Sequence, residues 1–121
     1  MPKNLLELSE DQEQLRVVAY LEALKLQGKV LMFTAHADNM KTNIITATRA
    51  KRLGKRAGYP DLSIVTNTGT MLYIELKKAK GGVVSPAQKE WIEALNKCDG
   101  VSAWVCKGFE EAKYAIDLYV K

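Results

Sequence analysis

Histidine and cysteine are almost missing from this chain, with one His and two Cys among 121 residues. Cys98 and Cys106 are spaced neither as a Cys-x-x-Cys redox pair nor as half of a four-ligand zinc site, and His36 alone cannot complete a set. A structural zinc is therefore excluded, and both cysteines are expected as reduced core residues. Any metal must be held mainly by oxygen, which favours magnesium or manganese. Long apolar runs are also lacking. Nothing approaches the roughly 18 apolar residues of a membrane span, and the stretch before Gln14 has no apolar segment between a basic start and a small-residue cleavage site. A soluble, intracellular protein with no membrane partner is expected. Repeats and low-complexity tracts are missing as well, and the few prolines and glycines are scattered as punctuation. At 47% hydrophobic, the chain can build one compact core and is too short for two, so a single domain over residues 1–121 is expected.

One absence is local. Between Met40 and Ala57 there is no acidic residue, while Lys41, Arg49, Lys51, Arg52, Lys55 and Arg56 all fall there. With those six set aside, the remaining 12 of the 18 basic residues face 14 acidic ones, so the net charge of +4 sits entirely in this segment. If the segment is helical near its end, Arg49, Arg52 and Arg56 share a face with Lys51 and Lys55 alongside, a geometry suited to phosphates. The plain alternative is an ordinary solvated basic face.

The rest of the chain alternates in type. Ser9 is a helix N-cap signal, with Glu10, Asp11 and Glu13 in the first turn where the dipole favours negative charge. Leu15, Val18, Leu21 and Leu24 then recur at helical spacing up to Gly28. Val30 to Thr34 predicts a strand and His36 to Asn43 a loop. Leu62 to Thr66 and Met71 to Leu76 predict two strands joined by Asn67-Thr68-Gly69 into a hairpin. After the flexible Lys80-Gly81-Gly82, Ser85-Pro86 opens a helix on which Gln88, Trp91, Ile92 and Leu95 share a face. Ser102 to Cys106 predicts a fourth strand, and Phe109, Ala112, Ile116 and Tyr119 pattern a closing helix. The order implies an α/β fold, a mixed central sheet flanked by helices.

The chemistry concentrates in Pro60-Asp61 and Glu75-Leu76-Lys77. A hairpin brings the start of one strand and the end of its partner to the same end of the sheet, so Asp61 and Glu75 can share a hard cation. Glu75 and Lys77 are two apart on a strand and point to one face. Leu76 points into the core, yet its backbone carbonyl can serve as a further oxygen ligand. Lys77 can orient or help deprotonate an attacking water, or stabilise charge on a phosphorane-like transition state. Two carboxylates and an amine so placed meet the needs of phosphodiester hydrolysis. Each piece alone has a bland reading, since Glu-x-Lys on a strand is usually a surface pair and Pro-Asp a common turn. Their joint arrangement next to a basic segment is what favours the catalytic reading.

Gly58-Tyr59-Pro60-Asp61-Leu62, Tyr73-Ile74-Glu75-Leu76-Lys77 and Ser85-Pro86-Ala87-Gln88 together resemble the VRR-NUC branch of the PD-(D/E)xK nuclease superfamily. Glu10 to Leu21 looks like the branch's first helix, and His36 to Asn39 stands where members often carry His-x-x-Asn. The resemblance implies a restriction-endonuclease-like core with Asp61 and Glu75 as metal ligands, the Leu76 carbonyl assisting, and Lys77 as catalytic lysine. A first-helix glutamate completing the site is either Glu10 or Glu13. Gln88 stands beside the active site by resemblance, or satisfies the helix end in a capping box with Ser85. Trp91 reads as core in preference to a base-stacking platform. His36 contacts phosphate or water, or hydrogen-bonds locally.

The resemblance and the residues together imply a Mg2+-dependent endodeoxyribonuclease, with Mn2+ as substitute and no organic cofactor. DNA is gripped largely without sequence preference by Arg49, Lys51, Arg52, Lys55, Arg56 and Lys80. Small stand-alone members of the branch resemble Holliday junction resolvases, which implies a homodimer acting on branched DNA in the cytoplasm of a bacterial or phage-infected cell. The competing readings are a general or restriction-like nuclease, a non-catalytic DNA-binding module of the same fold, and an enzyme of unrelated chemistry.

Overall fold

A computed structural model describes residues 7–36 and 43–121. Lys41, and all of the His-x-x-Asn correspondence except His36, lie outside the described residues.

The first helix, α1 (Glu10–Leu26), begins at a reciprocal cap in which the Ser9 hydroxyl accepts from the Gln12 N–H and the Gln12 side chain accepts from the Ser9 N–H. Its buried stripe is Glu13, Val17, Leu21 and Leu24. Leu15 is solvent-exposed and Val18 only half-buried, so the expected stripe holds at its far end and slips at its start. Glu13, read from sequence as a first-turn dipole partner, and Val17 are buried in place of Leu15 and Val18.

The strand β1 (Val30–Ala35) precedes α2 (Ile44–Arg52), which Asn43 caps by accepting from the Thr46 N–H. This helix corrects the reading of the basic segment. It ends at Arg52, with Leu53 at its C-cap and Gly54 at φ +106°, so only Arg49, Lys51 and Arg52 are helical. Lys55 and Arg56 lie beyond it, and the Arg56 guanidinium turns back to the Lys55 and Lys51 carbonyls at 3.2 and 3.5 Å.

The hairpin forms as expected from β2 (Leu62–Thr66) and β3 (Met71–Lys77), with Leu62 opposite Ile74 and Val65 opposite Met71. Its turn is tied by the Thr66 hydroxyl, which donates to the Thr70 carbonyl at 2.8 Å. After β3, α3 (Pro86–Leu95) carries the chain over to β4 (Val101–Lys107), and α4 (Gly108–Tyr119) begins at the next residue. The sheet order is β1-β2-β3-β4, antiparallel up to β3, with β4 parallel to β3 from Met71↔Val101 to Lys77↔Lys107. The architecture is the expected mixed α/β sheet.

The pleat sorts the sheet residues by face. Leu62, Ile64, Leu72, Ile74, Leu76 and Cys106 pack with Val17, Leu21 and Leu24 of α1 and Ala112, Ala115 and Ile116 of α4 into the core. Tyr73, Glu75 and Lys77 alternate with those β3 residues and emerge on the other face, toward α3. There Asn96, just past α3, clasps the Ala103 backbone with both ends of its amide. Cys106 is buried as expected, but Cys98 is exposed. It falls in the turn after α3, with its thiol near the Ala94 carbonyl, and the core is filled without it.

Candidate active site

The pairing of β2 with β3 stops at Leu62↔Ile74, so Glu75, Leu76 and Lys77 run past the last paired residue of β2. Asp61 fills the gap. Its Oδ2 accepts the Leu76 N–H at 2.8 Å, and its backbone carbonyl accepts the His36 N–H at 2.7 Å. Asp61 is thus tied on both sides by backbone donors, one from each neighbouring strand. A residue's N–H and C=O share a side of the strand, so the Leu76 carbonyl lies toward Asp61 as well.

Glu75 is 2% exposed, although it points away from the main core. Its Oε2 accepts from Gln88 Nε2 at 3.1 Å and stands 3.5 Å from Lys77 Nζ. Burial, and then the adjacent Asp61 carboxylate, which repels its charge and hydrogen-bonds to its protonated form, push the Glu75 carboxyl up to about 8; Lys77 works the other way. Two carboxylates so close cannot both ionise cheaply without a cation between them.

Gln88 performs both of the roles open to it at once. Its Oε1 accepts the Ser85 N–H at 2.9 Å and its backbone N–H donates to the Ser85 hydroxyl at 3.1 Å, closing the cap. The amide nitrogen is left to face Glu75. The start of α3 is brought this close by the segment before Asp61. Gly58, at φ +94°, would set a Cβ 2.5 to 2.8 Å from the Ala87 and Gln88 backbone, so only glycine fits. Trp91 Nε1 donates to the Ala57 carbonyl at 2.9 Å, and the Tyr59 ring packs edge-on against Trp91, Tyr73 and His36. Trp91 is a half-buried packing residue.

The two first-helix glutamates part company. Burial, then the negative charge of Asp61, holds the Glu10 carboxyl above its ordinary range, with Lys77 acting in the opposite direction. Glu10 therefore lies within electrostatic reach of Asp61 and Lys77. Glu13, one turn on, is 5% exposed, and its Oε2 accepts the Phe109 N–H at 3.1 Å at the start of α4. Lys107, the N-cap of α4, supplies no side-chain cap. Gly108, at φ +85°, has no room for a Cβ beside the Glu13 carboxylate. Glu13 is thus a helix cap reaching over from another helix.

Asp61, Glu75, Lys77, Gln88 and the Leu76 backbone are brought to one end of the hairpin. Arg49, Lys51, Arg52, Lys55, Arg56 and Lys80 are all exposed and none is in that cluster. Sequence reasoning missed the Glu13 cap and the Trp91–Ala57 bond. The Lys107-Gly108-Phe109 helix start, with no Ser, Thr, Asp or Asn to cap it, was the available signal for the first.

Among the described residues, no three His, Cys, Asp or Glu side chains are grouped to hold a metal ion. The donors present are two carboxylates and a backbone carbonyl. That set fits a small hard cation, which binds through one or two carboxylates and keeps several waters, and the raised Glu75 is the repulsion such a cation would relieve. No helix of the described residues is long and apolar enough to cross a membrane.

Residues 5–110 match the model of the VRR-NUC domain family. A solved structure named "VRR_NUC domain protein" is similar at 34% identity, covering 93% of this chain and 88% of that one with a TM-score of 0.75. A second, named "VRR_NUC domain", is 20% identical, covers 93% of this chain and 99% of its own, and shares the fold with a TM-score of 0.63. No curated protein matches.

Proposed function

The chain belongs to the VRR-NUC domain family, a nuclease-type family, and we propose that it is a metal-dependent, structure-specific DNA endonuclease, a single catalytic unit acting as a homodimer on branched DNA. The observation that carries this reading is the Asp61–Glu75 pair, pinned by the Leu76 N–H and flanked by Gln88 and Lys77.

In this reading the Asp61 and Glu75 carboxylates and the Leu76 carbonyl would hold a magnesium ion, Glu10 would complete the site and manganese could substitute. A cation bound there would supply Lewis acidity, lowering the pKa of water and offsetting charge on the scissile phosphate. Gln88 fixes the Glu75 carboxylate, so that its oxygens are oriented before the cation arrives. Lys77, held 3.5 Å from Glu75, presents its ammonium to the attacking water or the developing phosphorane charge. Arg49, Lys51, Arg52, Lys55, Arg56 and Lys80 hold the DNA backbone and lend a salt-dependent, sequence-tolerant affinity. The homodimer and the branched substrate rest on the resemblance to small resolvase-like members.

The test is cleavage of a four-way junction and its matched linear duplex with magnesium, manganese or chelator, comparing wild type with Glu75→Ala. Cutting that is metal-dependent, Glu75-dependent and confined to the junction is expected. Equal cutting of both substrates would make this a general nuclease, and no cutting under any condition would overturn the catalytic reading.

A further inference from the structure

Seven of the eight glycines adopt a positive φ, and Gly82 alone does not. Its backbone conformation is open to other residues, so the demand for glycine comes from its surroundings. A Cβ there would lie 2.7 Å from Lys77 Cβ, 3.3 Å from Lys77 Cγ and 3.3 Å from the Lys78 nitrogen. Carbon atoms in good contact stand about 3.5 to 4 Å apart. The chain leaving β3 therefore turns at Gly81, φ +79°, and returns onto the Lys77 stem with no room for a methyl. What reads from sequence as a flexible connection is a packed cover. Its effect shows in exposure, for Lys78 and Lys80 are exposed while the Lys77 side chain is only 12% exposed, its ammonium 3.5 Å from Glu75 Oε2.

We propose that Gly82 is a positioning residue for Lys77, its backbone closing one side of the lysine stem so that the ammonium is held at the Glu75 carboxylate. The inference rests on the nuclease reading, in which that ammonium serves the attacking water or the phosphorane charge, and says how it is kept in place. A lysine on its flexible four-carbon stem spreads over many rotamers. Restricting the stem before substrate arrives removes that ordering from the barrier. The contact also has a fixed side and a movable one. Lys77 is the last residue of β3 and is paired with Lys107 of β4, so its Cβ is tied to the sheet and a methyl added at Gly82 displaces the loop. Lifting the loop frees the lysine. A glycine that only closed the loop would owe nothing to the ammonium, and the two roles differ in what the Lys77 side chain contributes.

The first readout needs neither metal nor cleavage. Wild type and Gly82→Ala are treated briefly with an amine-acetylating reagent, and acetylation of Lys77 and Lys78 is compared by mass spectrometry. Lys77 should lag well behind Lys78 in wild type and react several-fold faster in Gly82→Ala, with Lys78 unchanged. Equal reaction of the two lysines in wild type, or no gain in the variant, would overturn the proposal. The second readout is the cleavage rate in Mn2+ with enzyme in excess, followed long enough to measure slow variants. Gly82→Ala should lower it about 10- to 100-fold. Lys77→Ala keeps the Cβ, so the loop is displaced as much in that background, but there is no ammonium to release. Gly82→Ala should then cost nothing more. An equal loss in both backgrounds would overturn the proposal and leave Gly82 a loop residue or one acting through Lys80. If Lys77 is shielded in wild type and freed in Gly82→Ala while no protein cuts DNA, the hold on the lysine stands and the catalytic reading falls.

Discussion

Ser9 with Gln12 and Ser85 with Gln88 close the same reciprocal cap, at the starts of α1 and α3, with bonds of 2.8 and 3.1 Å in one and 2.9 and 3.1 Å in the other. In α1 the glutamine is exposed and its side chain serves the cap. In α3 the amide nitrogen goes on to meet Glu75 at 3.1 Å. The local chemistry is identical, and the difference comes from what each helix start is packed against. Gly58 and Trp91 draw the start of α3 onto the segment before Asp61. The cap then does more than end a helix. By occupying the Gln88 oxygen it leaves a donor, and only a donor, to face the carboxylate.

The difference between the two glutamines loses its meaning once the group that Gln88 reaches is gone. Glu75→Ala, or Asp61→Ala, should lower cleavage by more than about 10³-fold while leaving the circular dichroism spectrum unchanged. Next in size, Gln88→Ala should cost about 10- to 100-fold in activity, the range for a residue that orients a metal ligand. Gln12→Ala should cost about 1 kcal/mol of stability or less and leave the rate per folded molecule intact. Equal rates for the two variants would mean that Gln88 is only a cap.

The two glutamates of α1 extend the same contrast between anchoring and site. Glu13→Gln keeps an oxygen for the Phe109 N–H and should bind Mn2+ as wild type does, whereas Glu10→Gln should bind it several-fold more weakly, as read by calorimetry. The smallest effect expected is in stability against pH. The Glu75 carboxyl lies at about 8, above its ordinary 4.5, so the proton it holds favours the folded state. That contribution is complete below pH 4.5 and is lost as pH rises through 8. Glu10, also raised, has the same sign. The metal-free protein should therefore melt at lower temperature at about pH 9 than at about pH 6, and Glu75→Gln should flatten the decline.

The fold was legible where periodicity and turn chemistry agree. The hairpin, the Ser85-Pro86 helix start and the Ala112 and Ile116 face of α4 are all carried by local signals. The first turn of α1 was not, because a buried glutamate reads as a surface one until its partner, 96 residues away, is known. The end of α2 was overrun for a related reason. Basic residues continue through Lys55 and Arg56 and suggest a continuing face, while Gly54 has already turned the backbone. The site was legible as a set of residues, since Asp61, Glu75, Lys77 and Gln88 do meet. Which glutamate of α1 turns inward to cap α4 depends on helix rotation, and that is fixed by the packing of Val17, Leu21 and Leu24 in the core.

The most direct test of the central claim, that Asp61 and Glu75 form a cation site, is calorimetric titration of Mn2+ into wild type and Glu75→Gln at about pH 6, 7 and 8. Wild type should bind with an affinity that rises with pH and should release a proton as Glu75 ionises, whereas Glu75→Gln should bind far more weakly with no linked proton. Equal binding by the two proteins, with no dependence on pH, would contradict the account.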